Sequence, residues 1–207
     1  MIIELYGLPG SGKSFIINKL VKVESNDLVK KSIVKKSMIN LAKTLSIWMP
    51  SSIKLRKKIN FIIKDYAMTP KFIEREVCTH INNILMVAFG YKWSGTRTIY
   101  MDEGIIHRIV TFAVNYNLPI EQTCLLIDLF ENHLKKALIV YLDVKTLDCM
   151  SGIQNRNRHN CEMDELKGEK LFHYLNCFKR YFDIIYYKYG HVKINRENYK
   201  KLKELLK

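Results

Sequence analysis

At 207 residues and 48% hydrophobic, the chain suits one domain with a real core. Its formal net charge of +14 favours anionic partners and does not choose among nucleotides, phosphorylated small molecules, nucleic acid and an acidic membrane surface. No apolar run approaches the length of a membrane span. The five cysteines, Cys78, Cys124, Cys149, Cys161 and Cys177, form no C-x-x-C pair and no zinc spacing, which argues for reduced thiols that pack as small apolar residues. With no leader ahead of the first strand, the expected location is the cytoplasm.

The chain opens on Ile2-Ile3-Glu4-Leu5-Tyr6, an apolar run that reads as a buried strand. Gly7-Leu8-Pro9-Gly10-Ser11-Gly12-Lys13-Ser14 follows and fills every fixed position of the phosphate-binding pattern G-x-x-x-x-G-K-[ST]. Phe15-Ile16-Ile17-Asn18-Lys19-Leu20-Val21 reads as the helix that this setting needs. The glycines allow backbone angles that a side chain would forbid, so several N–H groups can turn toward one anion. The helix N-terminus adds partial positive charge. Lys13 can reach the β- and γ-phosphates, and the Ser14 hydroxyl can ligate Mg²⁺. The competing reading is a glycine-rich turn that binds nothing.

A basic stretch over 26–36 follows, in which Ser32-Ile33-Val34 reads as a short second strand. Met38, Leu41, Leu45 and Trp48 take helical spacing, and Pro50 stops that helix. A second basic cluster, Lys54-Leu55-Arg56-Lys57-Lys58, begins a mostly helical region that runs to about Phe89, is interrupted at Thr69-Pro70 and stops at Gly90. Both clusters read either as solvated faces or as phosphate or acceptor recognition.

Thr98-Ile99-Tyr100-Met101 is the next strand, and it runs into Asp102-Glu103-Gly104. A helix begins near Ile105. After Leu118-Pro119 another is expected to reach about Lys136. Ala137-Leu138-Ile139-Val140-Tyr141-Leu142 reads as a central strand of a parallel sheet. Residues 154–160 are polar and basic. One long helix is expected over 164–189, ended by Gly190. A strand over 191–195 and a basic terminal helix over 199–207 close the chain.

Strands alternating with helices argue for a parallel sheet covered on both faces, with its ligand at the carboxyl ends of the strands. The phosphate loop and Asp102-Glu103 both lie at such ends. A carboxylate at Asp102 can face the Mg²⁺ held by Ser14, and Glu103 can accept a proton from an attacking hydroxyl. The alternative is an acidic cap on the next helix. Arg108 can touch an acceptor or serve as a surface ion-pair partner. Arg156 and Arg158 suit a lid whose guanidinium groups stabilise charge on a transferred phosphoryl group, or else a solvated basic loop.

Together these residues resemble the nucleoside and nucleotide kinase group of phosphate-loop proteins, near the thymidylate and deoxynucleoside kinases. The likeness rests on residues 7–14, on Asp102-Glu103-Gly104 and on Arg156-Asn157-Arg158. It implies a three-layer α/β/α fold with a mostly parallel five-stranded sheet. It also implies a single domain over 1–207, with a helical acceptor-side region at about 37–90 and a lid at about 152–165. The implied cofactors are ATP and Mg²⁺, and the implied activity is transfer of the γ-phosphate to a nucleoside, nucleotide or similar small metabolite. Gly7, Pro9, Gly10, Ser11, Gly12, Lys13 and Ser14 would hold the nucleotide. Ser14 and Asp102 would hold the metal, and Arg108 the acceptor. Lys13, Asp102, Glu103, Arg156 and Arg158 would act in transfer. A homodimer fits a helical kinase of this size. The strand-end motif departs from both subfamilies, which carry Asp-Arg plus an aromatic residue or Glu-Arg-Ser there.

The rival class is a nucleotide-dependent ATPase or switch associated with nucleic acid, motivated by the charge and the two basic clusters. A GTPase lacks support, because no N-K-x-D base-reading motif follows the loop. Met150-Ser151-Gly152-Ile153-Gln154 faintly resembles a transporter ATPase signature, but it follows the acidic pair instead of preceding it.

Overall fold

In the computed structural model, which describes residues 1–24, 45, 47–66, 74–92, 98–155 and 162–204, one sheet carries the four described strands. These are β1 (Ile2–Tyr6), β2 (Ile99–Met101), β3 (Ala137–Leu142) and β4 (Val192–Ile194), in the spatial order β2-β1-β3-β4. β3 and β4 run parallel, with Val140, Tyr141 and Leu142 opposite Val192, Lys193 and Ile194. β1 is buried throughout and β3 from Ile139 to Leu142, as apolar runs in a covered sheet must be. The α/β class is as expected, and four strands lie among the described residues. The expected strand over 32–34 lies outside the described residues.

The described chain divides into two compact units. The first comprises Ile3–Glu24, Tyr100–Glu103 and Leu138–Lys207. It holds most of the sheet with α1 (Lys13–Glu24), α7 (Thr146–Gln154), α8 (Glu162–Glu165), α9 (Gly168–Tyr189) and α10 (Lys201–Glu204). α9 buries Leu171, Leu175, Phe178, Phe182 and Ile185, a stripe at three- and four-residue spacing that seats one helix face. Gly190 ends it in the left-handed region, φ 62°, and donates its N–H to Tyr186 O at 2.9 Å.

A polar cluster ties α9 to β3 and β4. Lys179 Nζ donates to Asp143 Oδ1 at 2.7 Å, Asp183 Oδ1 at 2.8 Å and Tyr141 Oη at 2.9 Å. Tyr141 Oη donates to Asp183 at 2.7 Å, and Lys193 pairs with Asp143 Oδ2 at 2.7 Å. Burial raises the Asp143 carboxyl, but hydrogen bonds from Lys179 and Lys193 outweigh it and hold the group below its ordinary value. Tyr6 stacks on Tyr141 with ring centroids 5.1 Å apart.

The second unit comprises Met1–Ile2, Ser25–Ile99 and Gly104–Ala137. It is helical: α2 (Pro50–Ile63), α3 (Glu74–Lys92), α4 (Ile105–Tyr116), α5 (Ile120–Asp128) and α6 (Glu131–Leu134). α4 packs on α3 and α5, and α2 packs on the same two helices. α4 buries eight of its residues, including Ile105, Ile109 and Phe112, so this helix is the core of the unit.

Three helical expectations need correction. Gly90 does not stop its helix; α3 continues to Lys92, since one glycine costs only about 1 kcal/mol against packing of that length. The helix after Pro119 breaks at Leu129 and Phe130, where Phe130 leaves helical geometry and becomes fully buried. The long helix over 164–189 is two helices, because Lys167 is extended and Gly168 takes φ 54°. The terminal helix spans only Lys201–Glu204 among the described residues. No described helix is long and apolar enough to cross a membrane.

Candidate phosphate-binding site

The loop between β1 and α1 turns tightly through three glycines at positive φ. Gly7, Gly10 and Gly12 have φ of 150°, 80° and 97°, a region that residues with a Cβ rarely enter. Two of these glycines also lack room for a side chain. A Cβ at Gly7 would stand 2.4 Å from Leu142 O, and one at Gly10 would stand 2.3 Å from Cys149 O. The backbone must therefore pass this close to β3 and α7 to form its curve.

Lys13 is 8% exposed and donates Nζ to Gly7 O at 2.8 Å and to Leu8 O at 2.9 Å. Its ammonium is thus drawn back across the loop that carries it. Ser11 N–H closes a turn onto Leu8 O at 3.2 Å, and Ile16 N–H bonds Gly12 O at 3.0 Å as α1 begins. Ser11 is fully buried, and its Oγ has no hydrogen-bond partner. A buried hydroxyl without a partner, a buried ammonium and a helix N-terminus on one loop make a chemistry suited to an anion.

Ser14 Oγ donates to Asp102 Oδ2 at 2.5 Å. The N-cap position of α4 is Gly104, whose carbonyl accepts from Arg108 N–H at 3.1 Å, and the Asp102 carboxylate is turned to Ser14. Asp102 is half-buried and Glu103 exposed in the same bend. A hydroxyl and a carboxylate in contact are the donor types that Mg²⁺ takes when phosphate oxygens and water complete its shell. No group of three or more His, Cys, Asp or Glu able to hold a metal occurs among the described residues.

The remaining sequence-based residues are placed as follows. Pro9 lies within the loop, half-buried. Arg108 belongs to the helical unit, on α4, where its charge acts on His80 of α3. Arg156 and Arg158 lie outside the described residues, as does the first basic cluster. In the second cluster Lys54, Lys57 and Lys58 face solvent from α2, while Arg56 donates to Asn82 Oδ1 of α3.

Two residues escaped the sequence reading. Arg196, just past β4, donates Nε to Ser11 O and Nη2 to Gly10 O, both at 2.9 Å. Gly152, inside α7, faces Gly10: a Cβ there would lie 2.6 Å from Gly10 O. The position of Arg196 at a strand end, where parallel sheets gather ligands, was a usable signal. So was a glycine inside a helix, which needs a packing reason.

No family model matches this sequence, and neither does any curated protein. Among solved structures the chain is similar to deoxyadenosine kinase from M. mycoides. With the form described as holding products dCMP and a flexible dCDP, it shares 19% identity and a TM-score of 0.55, over 100% of this chain and 96% of that one. With the form holding dATP the values are 19% and 0.50, over 100% and 97%. With the form holding dCTP they are 18% and 0.50, over 94% and 89%. The chain therefore shares the fold of these kinases.

Proposed function

We propose that the chain is an ATP- and Mg²⁺-dependent kinase that transfers a γ-phosphate to a hydroxyl of a deoxynucleoside or similar small metabolite, acting as one kinase domain. The observation that carries this reading is the contact of Ser14 with Asp102 beside the glycine loop. The shared fold with a deoxyadenosine kinase supports the acceptor class. Among the described residues Cys78, Cys124, Cys149 and Cys177 form no disulfide, which fits a reducing compartment such as the cytoplasm.

Each residue then has a task. The amides of residues 7–14 and the Lys13 ammonium bind the phosphate tail. Ser14 and Asp102 hold Mg²⁺, which when bound neutralises charge on the phosphate oxygens. Glu103 takes the proton of the acceptor hydroxyl. The acceptor oxygen forms its bond to the γ-phosphorus as the bond from that phosphorus to the bridging oxygen breaks, and ADP leaves. Arg108 is assigned to the acceptor, and Arg156 and Arg158 to the charge on the transferred group.

The test is a panel of nucleosides, deoxynucleosides, nucleoside monophosphates and sugars mixed with ATP and Mg²⁺, read by ADP formation. We expect acceptor-dependent ADP with deoxynucleosides, and a fall of at least about a hundredfold in Lys13→Ala. ADP released at one rate whatever the acceptor, and faster when single-stranded nucleic acid is added, would favour the nucleic-acid ATPase class instead.

A further inference from the structure

We propose that Arg196 is a positioning residue that fixes the peptide planes of the phosphate loop for polyphosphate binding. This rests on the nucleotide-binding reading of that loop. The side chain donates Nε to Ser11 O and Nη2 to Gly10 O, each at 2.9 Å, with a longer contact of 3.5 Å to Asp148 O. The carbonyl of Gly10 shares a plane with the N–H of Ser11, and that of Ser11 with the N–H of Gly12. Each trans peptide points its N–H opposite its C=O. Gripping two successive carbonyls from one side therefore holds the Ser11 N–H on Leu8 O, at 3.2 Å, and aims the Gly12 N–H to the opposite side.

The loop needs such a grip. Gly10 and Gly12 flank the gripped pair at φ 80° and 97°, and glycine alone does not hold either angle. On its other flank the loop is wedged by α7, whose Cys149 O would lie 2.3 Å from a Cβ at Gly10. Arg196 is itself held in a tight turn. Asn195 Oδ1 accepts from Glu197 N–H at 3.1 Å and Asn198 N–H at 2.8 Å, while Asn198 Oδ1 accepts from Asn195 N–H at 2.7 Å. The planar fork presents its two donors in a fixed geometry that a freely rotating ammonium holds less rigidly, and its charge lies on the loop that would meet the anion.

The test compares the unsubstituted protein with Arg196→Ala and Arg196→Lys by three readouts: the melting temperature without ligand, the dissociation constant for ATP with Mg²⁺ in the absence of acceptor, and the separate KM values for ATP and acceptor. We expect ATP binding to weaken about tenfold or more in Arg196→Ala and by less in Arg196→Lys, as loss of charge-assisted bonds implies. The KM for acceptor should stay unchanged, and Arg196→Lys should melt close to the unsubstituted protein. ATP binding within about twofold in both variants would overturn the role of Arg196 alone. Equal losses for ATP and acceptor would also overturn it, by showing a general structural effect. Absence of ATP binding in the unsubstituted protein would overturn the nucleotide reading, and this inference with it.

Discussion

Ser14 Oγ and Asp102 Oδ2 meet at 2.5 Å across 88 positions of sequence. The first belongs to the start of α1 and the second to the bend after β2, so the sheet brings together two donor groups that local structure never would. Because Gly104 is the cap of α4, Asp102 has no capping task to lose. Asp102→Asn should change the melting temperature little, within roughly 1 kcal/mol of stability, while the Mg²⁺ concentration for half-maximal activity rises about tenfold or more. A magnesium titration of both proteins checks this; unchanged curves would remove Asp102 from the metal.

The close approaches of the glycines make a graded prediction. Gly7→Ala and Gly152→Ala would each set a Cβ within 2.4 Å or 2.6 Å of a backbone oxygen, whereas Gly168→Ala would meet nothing within 4 Å. The first two should cost roughly 2–4 kcal/mol, and Gly168→Ala, strained only by its φ, about 1 kcal/mol. Denaturant melts of the three variants give the order. Gly152→Ala should also weaken ATP binding, because its clash falls on Gly10 O.

Acid should destabilise the fold before carboxylates titrate. Burial lowers His191 from 6.5 to about 4, and its Nδ1 shares a hydrogen bond of 3.1 Å with the Tyr6 hydroxyl, a phenol whose own value burial raises. His80 is lowered too, by burial first, with Arg108 adding and Glu76 opposing. A lowered folded value means that the unfolded chain binds the proton more tightly. Stability is therefore full above about pH 6.5 and falls as pH drops toward about 4. His191 contributes at most ~2 kcal/mol after allowance for solvent screening of a partly exposed ring. Melting scans across this window should show the decline, and His191→Asn should flatten it. An unaltered slope in that variant would contradict the assignment.

Lys179 joins two carboxylates and a phenol of one cluster. Lys179→Met leaves Asp143 with Lys193 alone, so the Asp143 carboxyl should titrate higher than it does now. We expect a loss of roughly 1–2 kcal/mol at neutral pH. Below the ordinary carboxylate range the loss should shrink, since the stability that Asp143 contributes is itself lost as pH falls through its lowered value. Urea melts at two pH values measure the difference.

The loop from Gly7 to Ser14 was legible because its chemistry is local: glycine angles, a lysine and a hydroxyl follow each other in the chain. β3 was legible for a similar reason, since six apolar residues before a polar stretch leave few other fates. Helix interruptions were less so. Phe130 and Gly168 sit in runs whose periodicity looks continuous, and only burial of Phe130 and the left-handed angle of Gly168 break them. α7 was missed as a helix because Thr146 to Gln154 is short and contains a glycine, with only Cys149 and Ile153 buried. Arg196 was harder to read for a different reason: its partners are backbone carbonyls, which carry no residue type to match, and only its place after the last strand pointed to it.

The central claim is that the loop after β1 binds a nucleotide's phosphate tail. Calorimetric titration of the protein with ATP in the presence of Mg²⁺ tests it most directly. One binding event per chain, abolished in Lys13→Ala by a variant that still melts cooperatively, is the predicted result. No heat and no rise in melting temperature at millimolar nucleotide would contradict it.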